Sequence, residues 1–186
     1  MFDPDRFIEE CRAAVAADPT HKSVREVLAR AVSDPASIRK ALGEPKMAGT
    51  EPLYRSPELT ILNVVWGPLM TVMPHEHRIW ALIGIYDGRE DNVFWRRLDG
   101  EPGRTRIEAA GARALCVKDV EPLGRDIIHS VTNPLQRLSS AIHIYGGDFF
   151  AVERSEWDAE TLTERPYDRG RSLRLMTELN ARWGFA

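Results

Sequence analysis

The clearest structural signal in the sequence is the stretch MTVMPHEHRIWALIGIYDG, residues 70–88. It places His75 and His77 two residues apart behind a proline, in a chain with five histidines in all. Successive side chains alternate between the two faces of a β-strand, so the two imidazoles should share one face and Glu76 should lie on the other. An apolar segment follows and ends in Asp-Gly, which is typical of a strand entering a tight turn. The stretch therefore predicts two short strands, the first carrying paired metal-ligand candidates.

Further short segments, rich in β-branched and aromatic residues, lie around this stretch. Gly, Asp-Gly or Asn-Pro separates them, and they recur about every 10–15 residues. The segments are LTILNVVWG (59–67), IWALIGIYDG (79–88), DNVFWRRLDG (91–100), ALCVKDVEPLG (114–124), DIIHSVTN (126–133) and LSSAIHIYGG (138–147). Short strands at this spacing indicate an antiparallel β-sandwich or barrel.

Helices are predicted before these strands. Asp3, followed by proline, can start a first helix, and Ser23 can cap a second one, with Glu26 completing a capping box. Asp34, also followed by proline, can start a third helix that Gly43 ends. The N-terminal part of the chain is therefore predicted to be helical.

The length of the chain favours a single domain. We expect a helical N-terminal segment over residues 1–45, a barrel over 54–154 and a C-terminal extension over 155–186 that contains a last helix, RSLRLMTELNARW. Residues 46–57, rich in proline, glycine and threonine, are predicted to be a connector.

The composition favours an ordinary soluble domain, with 186 residues, 43% hydrophobic residues, 28% charged residues and a formal net charge of −3. Basic and acidic residues are interleaved, so we expect no nucleic-acid partner. No apolar run approaches the roughly 20 residues of a membrane helix, and the start MFDPDRFIEE is acidic, unlike a signal peptide. Because the chain has two cysteines, we do not expect a disulfide framework. We expect a reduced, cytoplasmic protein without a membrane partner.

A third histidine strengthens the metal-site interpretation. A lone H-x-H pair is most often a hydrogen-bonded rim or core feature. Here His129 lies on another predicted strand, 54 residues after His75, a separation that allows a barrel to return to the same rim. Three imidazoles that converge in a barrel can share one metal ion and leave open positions for a substrate and a small molecule such as dioxygen.

The segments PHEH (74–77) and GRDIIHSVTN (124–133) resemble the two sequence motifs of the cupin superfamily. The resemblance implies a cupin double-stranded β-helix, a jelly-roll barrel, in which His75, His77 and His129 bind the metal. Many cupins add a glutamate four or five residues after the second histidine, where this chain has alanine and leucine. A neutral three-histidine set leaves the metal its full charge, which suits Fe(II) awaiting an anionic ligand.

Within the cupins, the chain looks like the thiol dioxygenases, the group of cysteine dioxygenase and 3-mercaptopropionate dioxygenase. The resemblance runs from about residue 54 to residue 154 and rests on Trp66-Gly67, the H-x-H pair, the single later histidine and AIHIYG (141–146). That family has a Ser-x-His-x-Tyr motif beside the iron. Carried over, Tyr145 is the tyrosine that orders substrate and dioxygen, His143 is its hydrogen-bonding partner, and Ala141 stands in the serine position.

A thiol acid needs a partner for its carboxylate, and arginine is the natural choice. Two arginines match the resemblance. Arg154 lies nine residues after Tyr145, as in the mercaptopropionate branch, and Arg55 lies next to a tyrosine, similar to the cysteine-selective branch. The resemblance thus implies an Fe(II) enzyme that oxidises a small thiol acid, such as cysteine or 3-mercaptopropionate, to its sulfinate with O2.

Ala141 leaves two other functions open, because the motif is incomplete without its serine. One is a three-histidine Fe(II) dioxygenase that cleaves a diketone-like substrate. The other is a metal-binding cupin without turnover. Strand edges and a helical arm also leave room for a homodimer.

Overall fold

The computed structural model describes residues 1–98, 100–101 and 105–185. The chain begins with three helices, continues through β-strands and ends in a helix. The helices are α1 (Pro4–Ala17), α2 (His21–Val32), α3 (Pro35–Leu42) and α4 (Arg171–Trp183). The strands are β1 (Gly49–Arg55), β2 (Thr60–Trp66), β3 (Thr71–Glu76), β4 (Ala81–Asp87), β5 (Arg89–Arg97), β6 (Ile107–Cys116), β7 (Val120–Leu123), β8 (Ile128–Thr132), β9 (Ser139–Tyr145), β10 (Ser155–Trp157) and β11 (Glu164–Pro166).

The strands form two antiparallel sheets. One has the order β1-β2-β9-β4-β7, and the other has the order β11-β10-β3-β8-β5-β6. Strands far apart in sequence are neighbours, as in the pairs β2–β9 and β3–β8. Two facing antiparallel sheets with such crossovers form a jelly roll. The predicted double-stranded β-helix of cupin type, with N-terminal helices and a C-terminal helix, is confirmed.

Apolar side chains lie on both faces of the five-stranded sheet. Leu62 and Val64 of β2 point into the space between the sheets, whereas Ile61 points outwards. Helices α1–α3 cover that outer face, and Gly84 permits close contact because a Cβ there would lie 2.8 Å from Leu28 of α2. The inner strands are therefore buried on both sides, which explains their nearly continuous apolar sequences.

The start of the second helix differs from the prediction. Thr20, not Ser23, is the N-cap of α2, and its side chain accepts a hydrogen bond from the backbone N–H of Lys22. The Ser23 hydroxyl instead donates to the carbonyl of Ala14 in α1. The predicted starts at Asp3 and Asp34 are confirmed, since both side chains cap their helices.

The prediction that residues 46–57 form a connector is wrong. Residues 49–55 form β1 at the edge of the five-stranded sheet, with a bulge after Pro52. An edge strand tolerates proline because one of its sides needs no hydrogen-bond partner. The hairpin β10–β11 was not predicted; it extends the six-stranded sheet beyond residue 154 through the pairing of Glu156 with His75. The predicted C-terminal helix is confirmed as α4.

Among the described residues, no helix combines the length and the apolar character needed to cross a membrane.

Candidate metal centre

The structure brings the three predicted ligands together between the sheets. His75 on β3 is paired across the strands with His129 on β8, and His77 follows directly after β3. The Nε2 atom of His77 lies 3.2 Å from Nε2 of His75 and 3.4 Å from Nε2 of His129. The three residues are 7%, 4% and 1% exposed. Three buried imidazole nitrogens therefore converge on one point.

The far sides of two imidazoles have acceptors that fix their protonation. Nδ1 of His75 lies 2.8 Å from the carbonyl oxygen of Met73, and Nδ1 of His129 lies 2.7 Å from Oδ1 of Asn92. A carbonyl or amide oxygen only accepts, so both Nδ1 atoms carry the proton. The Nε2 atoms are then left with lone pairs that face the shared point, which is the arrangement of histidine ligands to a metal.

The nitrogen spacing fits a single ion. Nitrogens about 2.1 Å from one ion, at angles of about 90–110° to each other, lie about 3.0–3.4 Å apart. The separations of 3.2 and 3.4 Å fall in this range. Burial lowers the pKa of His75 to about 4 and the pKa values of His77 and His129 well below their usual range. The imidazoles are thus neutral at neutral pH, the form that binds metals.

Glu76 lies between the two histidine ligands in sequence and faces away from them. Its fully buried carboxylate pairs with Arg78 and Arg97 and accepts a hydrogen bond from the backbone N–H of Ser155 at 3.3 Å. These contacts hold the end of β3 against the neighbouring strands. Glu76 therefore supports the H-x-H segment from behind.

Replacing Glu76 by alanine should lower the free energy of unfolding by about 2 kcal/mol, because a buried acceptor of several charge-assisted hydrogen bonds is lost. Urea denaturation measures the change. Glu26→Ala is the control: its carboxylate is 68% exposed beside Arg25, and surface pairs contribute little. A loss for Glu76→Ala no larger than for Glu26→Ala would contradict this assignment.

A cavity of about 270 Å³ opens beside the three histidines. Apolar side chains form most of its wall, among them Leu62, Val64, Val72, Val131, Phe149 and Met176. The lining includes the cationic side chains of Arg154 and Arg169, but no carboxylate among the described residues. The Arg169 guanidinium is engaged with the carbonyls of residues 150–152. The site is thus a mostly apolar pocket with a metal-ligand cluster on one wall and arginine on another.

Tyr145 and His143 lie on the same face of β9 and line this cavity. The Tyr145 hydroxyl is 3.1 Å from Nδ1 of His143, and the Tyr145 ring centroid is 5.1 Å from that of His77. Burial raises the pKa of Tyr145 far above its ordinary value, so its hydroxyl is neutral. The structure therefore brings the predicted tyrosine–histidine pair next to the candidate metal ligands.

Arg154 also lines the cavity. Its guanidinium carbon lies 4.1 Å from the ring centroids of both Phe149 and Tyr167, so it is held between two aromatic faces. One terminal nitrogen, Nη1, donates to the carbonyl of Phe149 at 2.8 Å, while the other, Nη2, makes no hydrogen bond within the described part of the chain. Arg154 thus keeps donors free for an anionic ligand.

Arg55, the other predicted carboxylate partner, is not brought to the cavity. Its guanidinium makes two hydrogen bonds of 2.9 Å to Asp148, and its side chain is 52% exposed. The Asp148 carboxylate thus already occupies the guanidinium donors of Arg55 that would otherwise bind a substrate. The structure therefore leaves Arg154, of the two, facing the cavity.

The sequence interpretation missed Glu90 and Asn92 of β5. Both side chains are fully buried, and Asn92 contacts His129 directly. The signal that could have revealed them is strand alternation. Glu90 and Asn92 are two residues apart, so they share one face of β5, and that face lies inside the barrel. Tyr167, beyond the predicted barrel, gave no signal of its own.

No family model matches the chain. Among solved structures, the chain is similar to an RmlC-like cupin family protein from Methanocaldococcus jannaschii, with 11% identity over 58% of this chain and 87% of that chain and a TM-score of 0.41. It is also similar to KdgF from a Halomonas species, with 18% identity, coverage of 56% and 82%, and a TM-score of 0.42. A third similar structure is the DMSP lyase DddQ from Ruegeria pomeroyi DSS-3, with 17% identity over 61% of this chain and 53% of that chain and a TM-score of 0.45.

These similarities are too low to transfer a function. The assignment of the fold and of the candidate metal centre therefore follows from the strand order and the histidine geometry. The fold and the site define a double-stranded β-helix of cupin type with a three-histidine candidate metal centre.

Proposed function

We propose that the protein is a non-haem Fe(II) dioxygenase that converts a small thiol acid to its sulfinate. The reaction is RS⁻ + O2 → RSO2⁻, so both oxygen atoms add to sulfur, and the thiol proton is given up when the substrate binds. The observation that supports this proposal is that the Tyr145–His143 pair, Arg154 and the three histidines all line one cavity. Fe(II) held by His75, His77 and His129 would supply the redox chemistry that lets dioxygen react with a thiolate.

The protein side chains would bind and orient the substrate. Arg154, held between two rings, would donate to the carboxylate through its planar fork. Tyr145, next to His77, would place its neutral hydroxyl beside the reacting groups. The apolar walls would exclude water and so strengthen the interaction of Arg154 with the carboxylate.

The lining also bears on the choice of thiol acid. Cysteine carries an ammonium group in addition to its thiol and carboxylate, and the described lining offers that group no carboxylate. A buried cation without a partner is costly. A thiol acid without an ammonium, such as 3-mercaptopropionate, therefore fits the cavity better than cysteine.

Oxygen uptake by the iron-loaded protein tests this function against 3-mercaptopropionate, cysteine, cysteamine and a β-diketone. We expect the highest kcat/KM for 3-mercaptopropionate, with cysteine lower by about tenfold or more, corresponding to at least about 1.4 kcal/mol. Cysteamine, which lacks a carboxylate, should be poorer still. Protein treated with a chelator is the control.

A diketone-cleaving dioxygenase is the second candidate, favoured by the apolar lining and by Ala141 in the serine position. Uptake with the β-diketone alone would select it. Iron binding without oxygen uptake on any member of the panel would instead favour a metal-binding protein without turnover.

A further inference from the structure

Glu90 is a fully buried carboxylate at the beginning of β5, and its near neighbours are hydrogen-bond donors. Oε2 accepts from the indole N–H of Trp66 at 2.8 Å, and Oε1 accepts from the side-chain amide of Asn92 at 3.2 Å. Oε2 also lies 3.5 Å from Nε2 of His143. Burial alone would raise the pKa of Glu90, but His143, Trp66 and Asn92 together hold that pKa below its ordinary value. The group is therefore an ionised acceptor.

Nε2 of His143 lies on the side of the imidazole that faces this carboxylate. No hydrogen-bond partner lies closer to that buried atom within the described residues. A separation of 3.5 Å is longer than an ordinary N–H···O bond, and such bonds at active sites often shorten when the ligand is present. An ionised carboxylate only accepts, so the proton of the imidazole belongs on Nε2.

The serine of the thiol dioxygenase motif is not available to His143. Its position is taken by Ala141, a fully buried core residue. Ser139 lies two residues before Ala141, on the same face of β9. Its hydroxyl makes hydrogen bonds of 2.8–3.1 Å to the backbone of Asp87 and Arg89. Glu90, and not a serine, therefore faces Nε2 of His143.

We propose that Glu90 is a positioning residue that fixes the tautomer of His143, a role that rests on the function proposed above. With the proton held on Nε2, Nδ1 of His143 is left as the acceptor for the Tyr145 hydroxyl, which fixes the direction of that O–H. Through Asn92, the same carboxylate keeps an amide oxygen towards Nδ1 of His129. One buried charge thus orients both the tyrosine pair and a candidate metal ligand.

Glutamine has the shape of glutamate but cannot replace it at this position. If the amide oxygen of the introduced side chain faced Trp66 and His143, its NH2 group would face Asn92. Asn92 would then have to turn its own oxygen towards that NH2 group and its own NH2 towards His129. In the other orientation, the introduced NH2 group would face the N–H groups of Trp66 and His143. Either way, one of the two histidines loses its acceptor.

The test is ¹⁵N NMR of the full-length, histidine-labelled protein without metal, which reads the tautomer of each imidazole independently of activity. We expect His143 in the Nε2–H form in the wild type, and a changed tautomer of His143 or His129 in Glu90→Gln. Glu121→Gln is the matched control, since Glu121 is a mostly buried glutamate on β7 that pairs with Arg113. Its spectrum should match the wild type.

Wild-type His143 in the Nδ1–H form would overturn the proposal, and so would unchanged His143 and His129 in Glu90→Gln. Trp66→Phe keeps the carboxylate while removing one of its donors, so the tautomers should stay as in the wild type; a changed His143 there would also count against Glu90.

Activity provides a second measurement. For oxygen uptake with 3-mercaptopropionate, we expect Glu90→Gln to lower kcat about 10- to 100-fold with little change in KM, as for other groups that orient a ligand from behind. An unchanged kcat would overturn the positioning role. If the wild type oxidises no thiol, the proposed function fails, while the NMR result still decides whether Glu90 fixes the tautomer of His143.

Discussion

Replacing His77 by alanine is expected to weaken Fe(II) binding by more than 100-fold and to abolish oxygen uptake. His77 is the middle member of the cluster, with its Nε2 within 3.4 Å of Nε2 of both other histidines. Loss of a group that only orients a ligand costs 10- to 100-fold in metal affinity, and loss of a ligand itself must cost more. Anaerobic titration with Fe(II) measures the affinity.

His21→Ala is the matched control, because His21 lies at the start of α2, beside Trp80 and outside the cavity. It should bind Fe(II) like the wild type. Equal Fe(II) affinity in the His77→Ala variant and the wild type would show that the metal binds elsewhere, and the assignment of the three histidines would be abandoned.

Replacing Arg154 by methionine is expected to lower kcat/KM for 3-mercaptopropionate by about 10- to 100-fold, mainly through a higher KM. A hydrogen bond to a charged group contributes about 1.5–3 kcal/mol, and each 1.4 kcal/mol is a factor of ten. Methionine keeps an unbranched apolar chain between Phe149 and Tyr167, so the aromatic contacts are largely retained. Steady-state oxygen uptake over a range of substrate concentrations gives both constants.

Arg55→Met is the paired control, since the sequence offers both Arg55 and Arg154 as candidate carboxylate partners. Arg55 is bound to Asp148 at the surface, so its loss should leave KM unchanged. If KM rises in Arg55→Met and not in Arg154→Met, the carboxylate partner is Arg55, and the cavity described here is not the substrate site.

The sequence was most informative where local patterns coincide with tertiary structure. The short strands recur with clear turn signals, and most of them lie within a few residues of their predicted positions. The segment 114–124 is an exception, because it contains only the end of β6 and, after a turn, β7. β1 was missed because its pairing with β2, not its own proline-containing sequence, makes it a strand. The hairpin β10–β11 was missed for a similar reason, since it is held by its contact with β3.

The candidate site could be predicted only in part. The histidines and Tyr145 lie in short motifs, so their types and spacing were visible in the sequence. Glu90, Asn92 and Tyr167 come to the site through sheet pairing and the return of the C-terminal segment, which no local spacing encodes. The choice between Arg55 and Arg154 likewise depended on a long-range contact, the pairing of Arg55 with Asp148.

The proposed dioxygenase activity is tested most directly by isotope labelling. Iron-loaded protein is supplied with 3-mercaptopropionate and ¹⁸O2, and the product is examined by mass spectrometry. We expect one sulfinate for each O2 consumed, with both new oxygen atoms labelled. A disulfide, an unlabelled or singly labelled product, or no product from any thiol acid while iron stays bound would contradict thiol dioxygenation at this site.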